Sequence, residues 1–139
     1  AEKAGKLIPK DFQGRTRVMQ WCFAAVSTVA PTLTALDLLG IFDPDKTAPR
    51  LHTETDKLAD RWFQGVERRL EGREWIATDE FTAADLMMAC IVRDVRKTDR
   101  LTRFPRIKAY YDRCTARPAW QRTLGLYAER LGVNVDDIR

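Results

Sequence analysis

The sequence predicts an all-α protein, a five-helix bundle built around one buried helix that begins near Thr82. Apolar residues recur at the three- and four-residue spacing of a helix through almost the whole chain of 139 residues. No segment shows the alternation of apolar and polar residues, bounded by turns, that is typical of strands. The 45% hydrophobic content is enough for one sizeable core, so a single helical domain is expected.

The first helix is predicted from about Phe12 onward. Its apolar stripe consists of Val18, Cys22, Val26 and Val29, widened by Met19 and Phe23. Pro31 must kink this helix or end it, because the proline ring removes a hydrogen-bond donor and clashes with the carbonyl four residues earlier.

Turn-forming residues between positions 40 and 49 separate the first helix from the second. The second helix has an apolar residue at every fourth position, namely Leu58, Trp62, Val66 and Leu70. Pro105 and Pro118 begin the last two predicted helices, because proline is favoured in a first helical turn. Their apolar stripes are Ile107, Tyr111 and Cys114 in one helix and Trp120, Leu124, Tyr127 and Leu131 in the other.

The third helix carries the most specific local pattern, FTAADL followed by an all-round apolar run. Thr82 and Asp85 have the spacing of a capping box, in which each side chain satisfies a backbone N–H of the other residue. Phe81 and Leu86 occupy the two positions of a hydrophobic staple, which fixes the angle at which the chain enters the helix. This helix is therefore predicted to lie in the middle of the bundle, with a structural rather than a catalytic cap.

Composition limits the classes of function. Three widely spaced cysteines, Cys22, Cys90 and Cys114, fit buried free thiols better than disulfides or a zinc site. No apolar run near the length of a membrane span and no secretory leader is recognised, so a cytoplasmic location and no membrane partner are expected. His52 has no partner at a catalytic spacing and is read as a solvated surface residue.

Other candidate sites are weaker. The acidic residues Asp43, Asp45, Glu54 and Asp56 fit no calcium loop, and no metal site is predicted. Basic residues gather toward the end of the third helix at Arg93, Arg96, Lys97, Arg100, Arg103 and Arg106. Because Asp94 and Asp99 interrupt this stretch and no aromatic platform accompanies it, a nucleic-acid surface is not predicted.

In context these motifs resemble a known family. The stretches REWIATDEFTAADLMMACIV and FPRIKAYYDRCTARPAWQRT are similar to the C-terminal helical domain of cytosolic glutathione transferases, and AEKAGKLIPKDFQGRTRVMQW resembles the passage into that domain. The resemblance implies that residues 1–11 are the end of the last helix of a thioredoxin-like domain plus a linker, and that residues 12–139 are the helical domain.

The family resemblance also implies a function. The complete protein would be a cytoplasmic, homodimeric detoxification enzyme that conjugates or reduces small hydrophobic electrophiles, with glutathione as co-substrate. The helical domain would supply a wall of the electrophile pocket, from Ser27, Thr28, Pro31 and Tyr127, and much of the dimer interface. The helical spacing of Leu124 and Tyr127 nevertheless favours the core for both of them over this wall. No catalytic residue is assigned to this chain, which alone is expected to be inactive and not to bind glutathione tightly.

A second class of function stays open. Domains of this family also serve as non-catalytic assembly modules in translation elongation factor and aminoacyl-tRNA synthetase complexes. The basic stretch from Arg93 to Arg106 is the feature of this chain that favours such a role.

Overall fold

A computed structural model describes residues 5–138, and between these bounds the chain is helical with no strand. The elements are α1 (Phe12–Ala24), a π-helical turn (Ala25–Val29), α2 (Ala30–Phe42), α3 (Pro49–Arg69), α4 (Ala83–Val92), a 3-10 turn (Arg93–Val95), α5 (Arg100–Arg103), α6 (Pro105–Thr115), α7 (Pro118–Leu131) and α8 (Val135–Ile138). The all-α prediction is confirmed. The five predicted helices are all present, with α1 and α2 as one, but a count of five omits the one-turn helices α5 and α8.

The predicted central helix, α4, begins at Ala83 and lies against α1, the π turn and α6. Its buried side chains include Ala84, Met88 and Val92, which are at most 2% exposed. The expectation that every side of α4 is buried is wrong, because Leu86 and Cys90 are exposed. These two residues are four positions apart, so they lie on one open face of the helix.

The first helix continues through Pro31 instead of ending there. The N–H of Ala30 bonds to the carbonyl of Ala25, five residues earlier, which is the pattern of a π turn. The wider turn lies immediately before Pro31, where a regular α-helix would place the proline ring against a carbonyl. Thus α1, the π turn and α2 form one element of 31 residues, Phe12–Phe42.

By length and composition this 31-residue element could cross a membrane, with a mean hydropathy of 1.6 in its most apolar window. The expectation that no segment reaches this length is therefore wrong. Only 22% of that window is buried. The long helix thus packs on the bundle with a narrow face and leaves most of its apolar surface open.

Two predicted stripes coincide only partly with the observed buried faces. On the first helix Val18 and Val29 are buried, but Met19, Phe23 and Val26 are exposed. On α3 the buried face consists of Ala59, Phe63, Val66 and, at its end, Leu70, whereas Leu58 and Trp62 are about two-fifths exposed. Both helices carry apolar residues on two faces, so periodicity alone does not identify the inner one.

The start of α4 is held by the carboxylate of Asp85, which is 0% exposed. Thr82 and Asp85 form the predicted capping box. Oδ2 of Asp85 accepts from the Thr82 N–H at 2.8 Å and from the Thr82 hydroxyl at 3.0 Å. Oδ1 accepts from the Ile76 N–H at 2.8 Å and from the Tyr110 hydroxyl at 3.0 Å. One side chain therefore joins α4, α6 and the loop that precedes α4.

The irregular segment before α1 is hydrogen-bonded to the start of α4. The N–H of Ala83 donates to the carbonyl of Leu7 at 2.8 Å. Asp11 then caps α1 by accepting from the Gly14 N–H at 2.7 Å. The resemblance assigns residues 1–11 to the end of a preceding helix plus a linker, and residues 1–4 of this segment lie outside the described residues.

We expect Asp85→Ala to lower the free energy of unfolding by about 3 kcal/mol, because four buried donors lose a charged acceptor. Thr82→Ala removes one partner of the box and should cost about 1 kcal/mol. Urea denaturation followed by circular dichroism measures both. Asp79→Ala, at a fully exposed carboxylate in the same loop, is the control and should leave stability unchanged. Equal stability of Asp85→Ala and the control would contradict this account.

Candidate functional site

The open face of α4 borders an apolar cavity of about 440 Å³. Its wall is formed mainly by Leu86 and Cys90 of α4 and by Trp120, Leu124 and Tyr127 of α7, and Leu7 and Phe81 line it as well. Cavities of this size accommodate small organic molecules or large side chains. Because Leu7 belongs to the segment before α1, the start of the described chain lies at this cavity.

Among residues 5–138, the charged side chains in the cavity wall are those of two arginines, Arg93 and Arg117, and no carboxylate lines it. The guanidinium of Arg117 lies 3.8 Å from the ring centroid of Phe81, within the range of a cation–π contact. Phe81 in turn meets Trp75 edge-on, at 5.2 Å between ring centroids. The cavity is thus apolar with a positive border.

The two thiols in this wall are poor nucleophiles. Burial raises the pKa of Cys114 to about 12, with a further contribution from the charge of Asp85. Desolvation also raises the pKa of Cys90, against the opposing effect of Arg93. Cys90 is exposed and Cys22 half-buried, so the prediction of buried thiols holds fully for Cys114 alone. All three cysteines are free, and a raised pKa leaves little thiolate at neutral pH.

The structure does not bring the four predicted pocket residues into one cavity. Ser27, Thr28 and Pro31 lie on and just after the π turn, where Ser27 and Pro31 are exposed and Thr28 is half-buried. The Ser27 hydroxyl donates to the carbonyl of Phe23 at 2.6 Å and lies 3.4 Å from the Thr28 hydroxyl. Tyr127 lines the α4–α7 cavity instead and is 49% exposed.

The core was the favoured prediction for Leu124 and Tyr127. It is right for Leu124, which is buried, and wrong for Tyr127. Sequence reasoning also missed Leu86 and Cys90 as cavity residues. Their spacing of four on α4, opposite a similar spacing on α7, was the available signal, but the all-round apolar composition of α4 concealed it.

The sequence model described as "Glutathione S-transferase, C-terminal domain" matches residues 29–118, which is more than half of the chain. The chain belongs to this family. The predicted relationship is confirmed by the sequence match together with the all-helical fold.

Two curated relatives are similar over most of this glutathione transferase domain. Glutathione S-transferase F11 of Arabidopsis thaliana is 26% identical over 92% of the chain and 63% of its own length. The disulfide-bond oxidoreductase YfcG of Escherichia coli is 27% identical over 86% of the chain and 55% of its own length. The chain therefore spans between about half and two-thirds of the relatives it matches.

Solved structures of glutathione transferases contain the same helical fold. A glutathione transferase from Burkholderia graminis, with two glutathione molecules bound per subunit, is 29% identical with a TM-score of 0.79, over 88% of this chain and 54% of its own. A family member from Pseudomonas fluorescens, with two glutathione bound, has a TM-score of 0.80 over 88% of this chain and 57% of its own. At 24% identity the second structure supports the fold alone.

Much of the basic stretch of the transferase domain is used internally. Arg100, 6% exposed, donates to the carboxylates of Asp56 and Asp60 on α3. Arg103 bonds to Asp60 at 2.7 Å, and Arg106 bonds to Glu71 at 3.0 Å. These three arginines fasten α5 and α6 to α3 and to the residues directly after it, which weakens the case for an assembly module that depends on a basic surface.

His52 is not the solvated residue that the sequence suggested. Its Nε2 lies 2.9 Å from Oδ2 of Asp43, and both side chains are less than one-fifth exposed. Asp43 also accepts from the hydroxyl and N–H of Thr47, at 2.7 and 2.8 Å, and from the Ala48 N–H at 3.0 Å. Asp43 therefore organises the turn between α2 and α3.

Among residues 5–138, no group of three or more His, Cys, Asp or Glu side chains is placed to hold a metal ion. The pair of Asp43 and His52 has no third ligand there. Its hydrogen bonds to the turn account for its position.

The Thr47 hydroxyl, followed by the Ala48 N–H, holds the pKa of Asp43 well below its ordinary value of 3.8. A carboxylate with a lowered folded-state pKa stabilises the protein above its unfolded pKa, and the effect disappears as the pH falls toward the folded value. We therefore expect Asp43→Asn to melt below the wild type at pH 7, by a difference that shrinks as the pH is lowered from 4 toward 2. Thermal melts across this range measure the difference.

Asp45→Asn, at an exposed position of the same turn, is the control and should match the wild type throughout. A difference between Asp43→Asn and the wild type that stays constant with pH would contradict the assignment.

Proposed function

We propose that this chain is the helical half of a glutathione transferase whose complete form is a cytoplasmic homodimer. In that form the protein conjugates or reduces small hydrophobic electrophiles with glutathione. The chain itself contributes shape and apolar surface, and the thiol chemistry belongs to the part of the protein that its relatives have in addition. The raised pKa values of its cysteines support this assignment, because thiols with a raised pKa are poor nucleophiles.

The observation that carries the proposal is an exposed stripe on the long helix. Met19, Phe23, Ser27 and Pro31 recur every fourth residue, and all four are exposed. This spacing places them on one face. Phe23, 62% exposed, supplies an apolar surface next to the hydroxyl of Ser27. A wall of this kind, apolar with a polar group, suits a hydrophobic electrophile that must be held in one orientation.

The apolar cavity has a different role in this proposal. The segment before α1 enters at Leu7, so the preceding part of the complete protein would approach the α4–α7 face first. Leu86, 41% exposed, and Tyr127 would then pack against that part of the protein. The remaining exposed apolar residues of α1 and α3, among them Leu58 and Trp62, would be covered by a second subunit.

Two glutathione-dependent reactions are consistent with the similarities. The similarity to glutathione S-transferase F11 favours conjugation as the reaction of the complete protein. The similarity to YfcG, a disulfide-bond oxidoreductase, favours the reduction of a disulfide. A glutathione transferase from Pseudomonas putida with one glutathione disulfide bound also has this fold. Reduction of a small disulfide is therefore the second reaction to be assayed.

We expect the 139-residue chain alone to give no turnover, and the complete protein to conjugate 1-chloro-2,4-dinitrobenzene or to reduce 2-hydroxyethyl disulfide. In the complete protein, Phe23→Ala should raise the KM for the electrophile roughly fivefold, because an apolar side chain is lost from the wall. The KM for glutathione should not change. Initial rates over both substrates measure these constants.

Leu126→Ala, on an exposed part of α7, is the matched control and should leave both constants unchanged. Turnover by the chain alone, or an equal effect of the two variants, would contradict the proposal.

The proposed docking face gives a second test. Leu86→Glu should destabilise the complete protein by about 2 kcal/mol, because a charge would be buried between its two parts. In the isolated chain, where Leu86 is 41% exposed, the same change should lower the melting temperature much less. Thermal melts of both forms make the comparison. Equal destabilisation in the two forms would show that Leu86 acts within the helical domain instead.

A further inference from the structure

A second cavity, of about 510 Å³, lies beyond the end of α4, between the 3-10 turn, α6 and α7. Three cations line it, namely Arg93, Arg96 and Lys97. The carboxylate in its wall is Asp112, which is paired with Lys108 at 2.7 Å. Positive charge is therefore concentrated in this cavity, which we call the basic cavity.

Aromatic rings form another part of the wall. Tyr111 and Trp120 are both half-buried and meet edge-on, with ring centroids 6.5 Å apart. The nearby polar groups are largely engaged, since Thr115 donates to the Tyr111 carbonyl at 2.9 Å and Gln121 donates to the Thr115 carbonyl at 2.7 Å. The basic cavity thus offers cationic donors at one side and ring surface at another.

The last described turn of the chain lies on these cations. Nη2 of Arg93 donates to the carbonyl of Ile138, and Nζ of Lys97 donates to the carbonyl of Asp137 at 3.3 Å. The chain returns toward α4 because Gly132 adopts the left-handed conformation, with φ of +64°, and reverses its direction after α7. We call residues 134–138 the C-terminal strap.

The strap meets Arg93 and Lys97 through backbone carbonyls, which are neutral acceptors. A backbone carbonyl is a weaker acceptor for a guanidinium or ammonium group than a phosphate oxygen, whose hydrogen bonds are charge-assisted. Arginine also matches the geometry of phosphate, with several donors in one plane. An anion with two negative charges can therefore compete with the strap for Arg93 and Lys97.

We propose that the basic cavity is a binding site for a small phosphomonoester that carries an aromatic ring, and that the C-terminal strap is displaced when this ligand binds. The phosphate meets Arg93, Arg96 and Lys97, and the ring lies against Tyr111 and Trp120. This site is separate from the exposed stripe of the long helix and does not depend on glutathione chemistry.

The test is a titration of the 139-residue chain with phenyl phosphate, followed by ¹H–¹⁵N NMR. The Trp120 indole signal and the amides of residues 135–138 should shift together with one dissociation constant. Lys97→Gln should weaken binding roughly tenfold through the loss of one charge-assisted contact. Arg122→Gln, which removes the same charge from an exposed site on α7, is the matched control and should bind like the wild type.

Two further measurements separate the strap from the site. A chain that ends at Asn134 should bind phenyl phosphate several-fold more tightly, because the carbonyls of Asp137 and Ile138 no longer compete for the cations and the carboxylates of Asp136 and Asp137 no longer repel the phosphate. Inorganic phosphate should bind more weakly than phenyl phosphate, because it lacks the ring. Circular dichroism establishes that each variant is folded.

Four results would overturn the proposal. Equal weakening by Lys97→Gln and Arg122→Gln would indicate general attraction to a basic protein. Weakening by Arg117→Gln but not by Lys97→Gln would place the probe in the apolar cavity. Unchanged affinity of the chain ending at Asn134, or unmoved signals from residues 135–138, would show that the strap does not compete.

Discussion

The carboxylate of Asp85 is the interaction on which the rest of the structure depends. It is completely buried, and a charge in such a place is tolerated only when hydrogen bonds replace its water. Here the donors come from Ile76, Thr82 and Tyr110, three parts of the chain that would otherwise be independent. Burial also raises the pKa of Tyr110 well above its ordinary value, so its hydroxyl remains a donor. The position of α4, and of every residue that α4 carries, follows from this junction.

Because α4 is fixed in this way, its open face and its C-terminal end contribute to two different cavities. Its middle is buried, and its open face presents Leu86 and Cys90 to the apolar cavity. Its end delivers Arg93, Arg96 and Lys97 to the basic cavity. Arg93 lines both cavities and marks the boundary between them. One helix therefore separates an apolar surface from a cationic surface.

The features that the sequence predicted correctly are those formed by residues close together in the chain. The capping box of Thr82 and Asp85 and the proline starts of α6 and α7 involve residues within one turn, so their geometry can be read from spacing alone. The buried faces of α1 and α3 could not be read in this way, because apolar residues occupy both faces. The ion pairs of Arg100 could not be predicted either, because its partners Asp56 and Asp60 are 44 and 40 residues away in the sequence. The position of Tyr127 in a cavity wall depends on how α7 packs, which periodicity does not specify.

The basic stretch shows why a run of like charges has to be read together with its partners. Up to Lys97 the stretch turns toward the basic cavity and the strap, whereas from Arg100 onward its cations meet carboxylates of α3. The division falls where the 3-10 turn ends and α5 begins, so a change of backbone direction sorts neighbouring charges into two roles. The net charge of +4 is therefore a poor guide to the surface. Cations close in sequence make different contacts on the two sides of one turn, with the strap on one side and with carboxylates of α3 on the other.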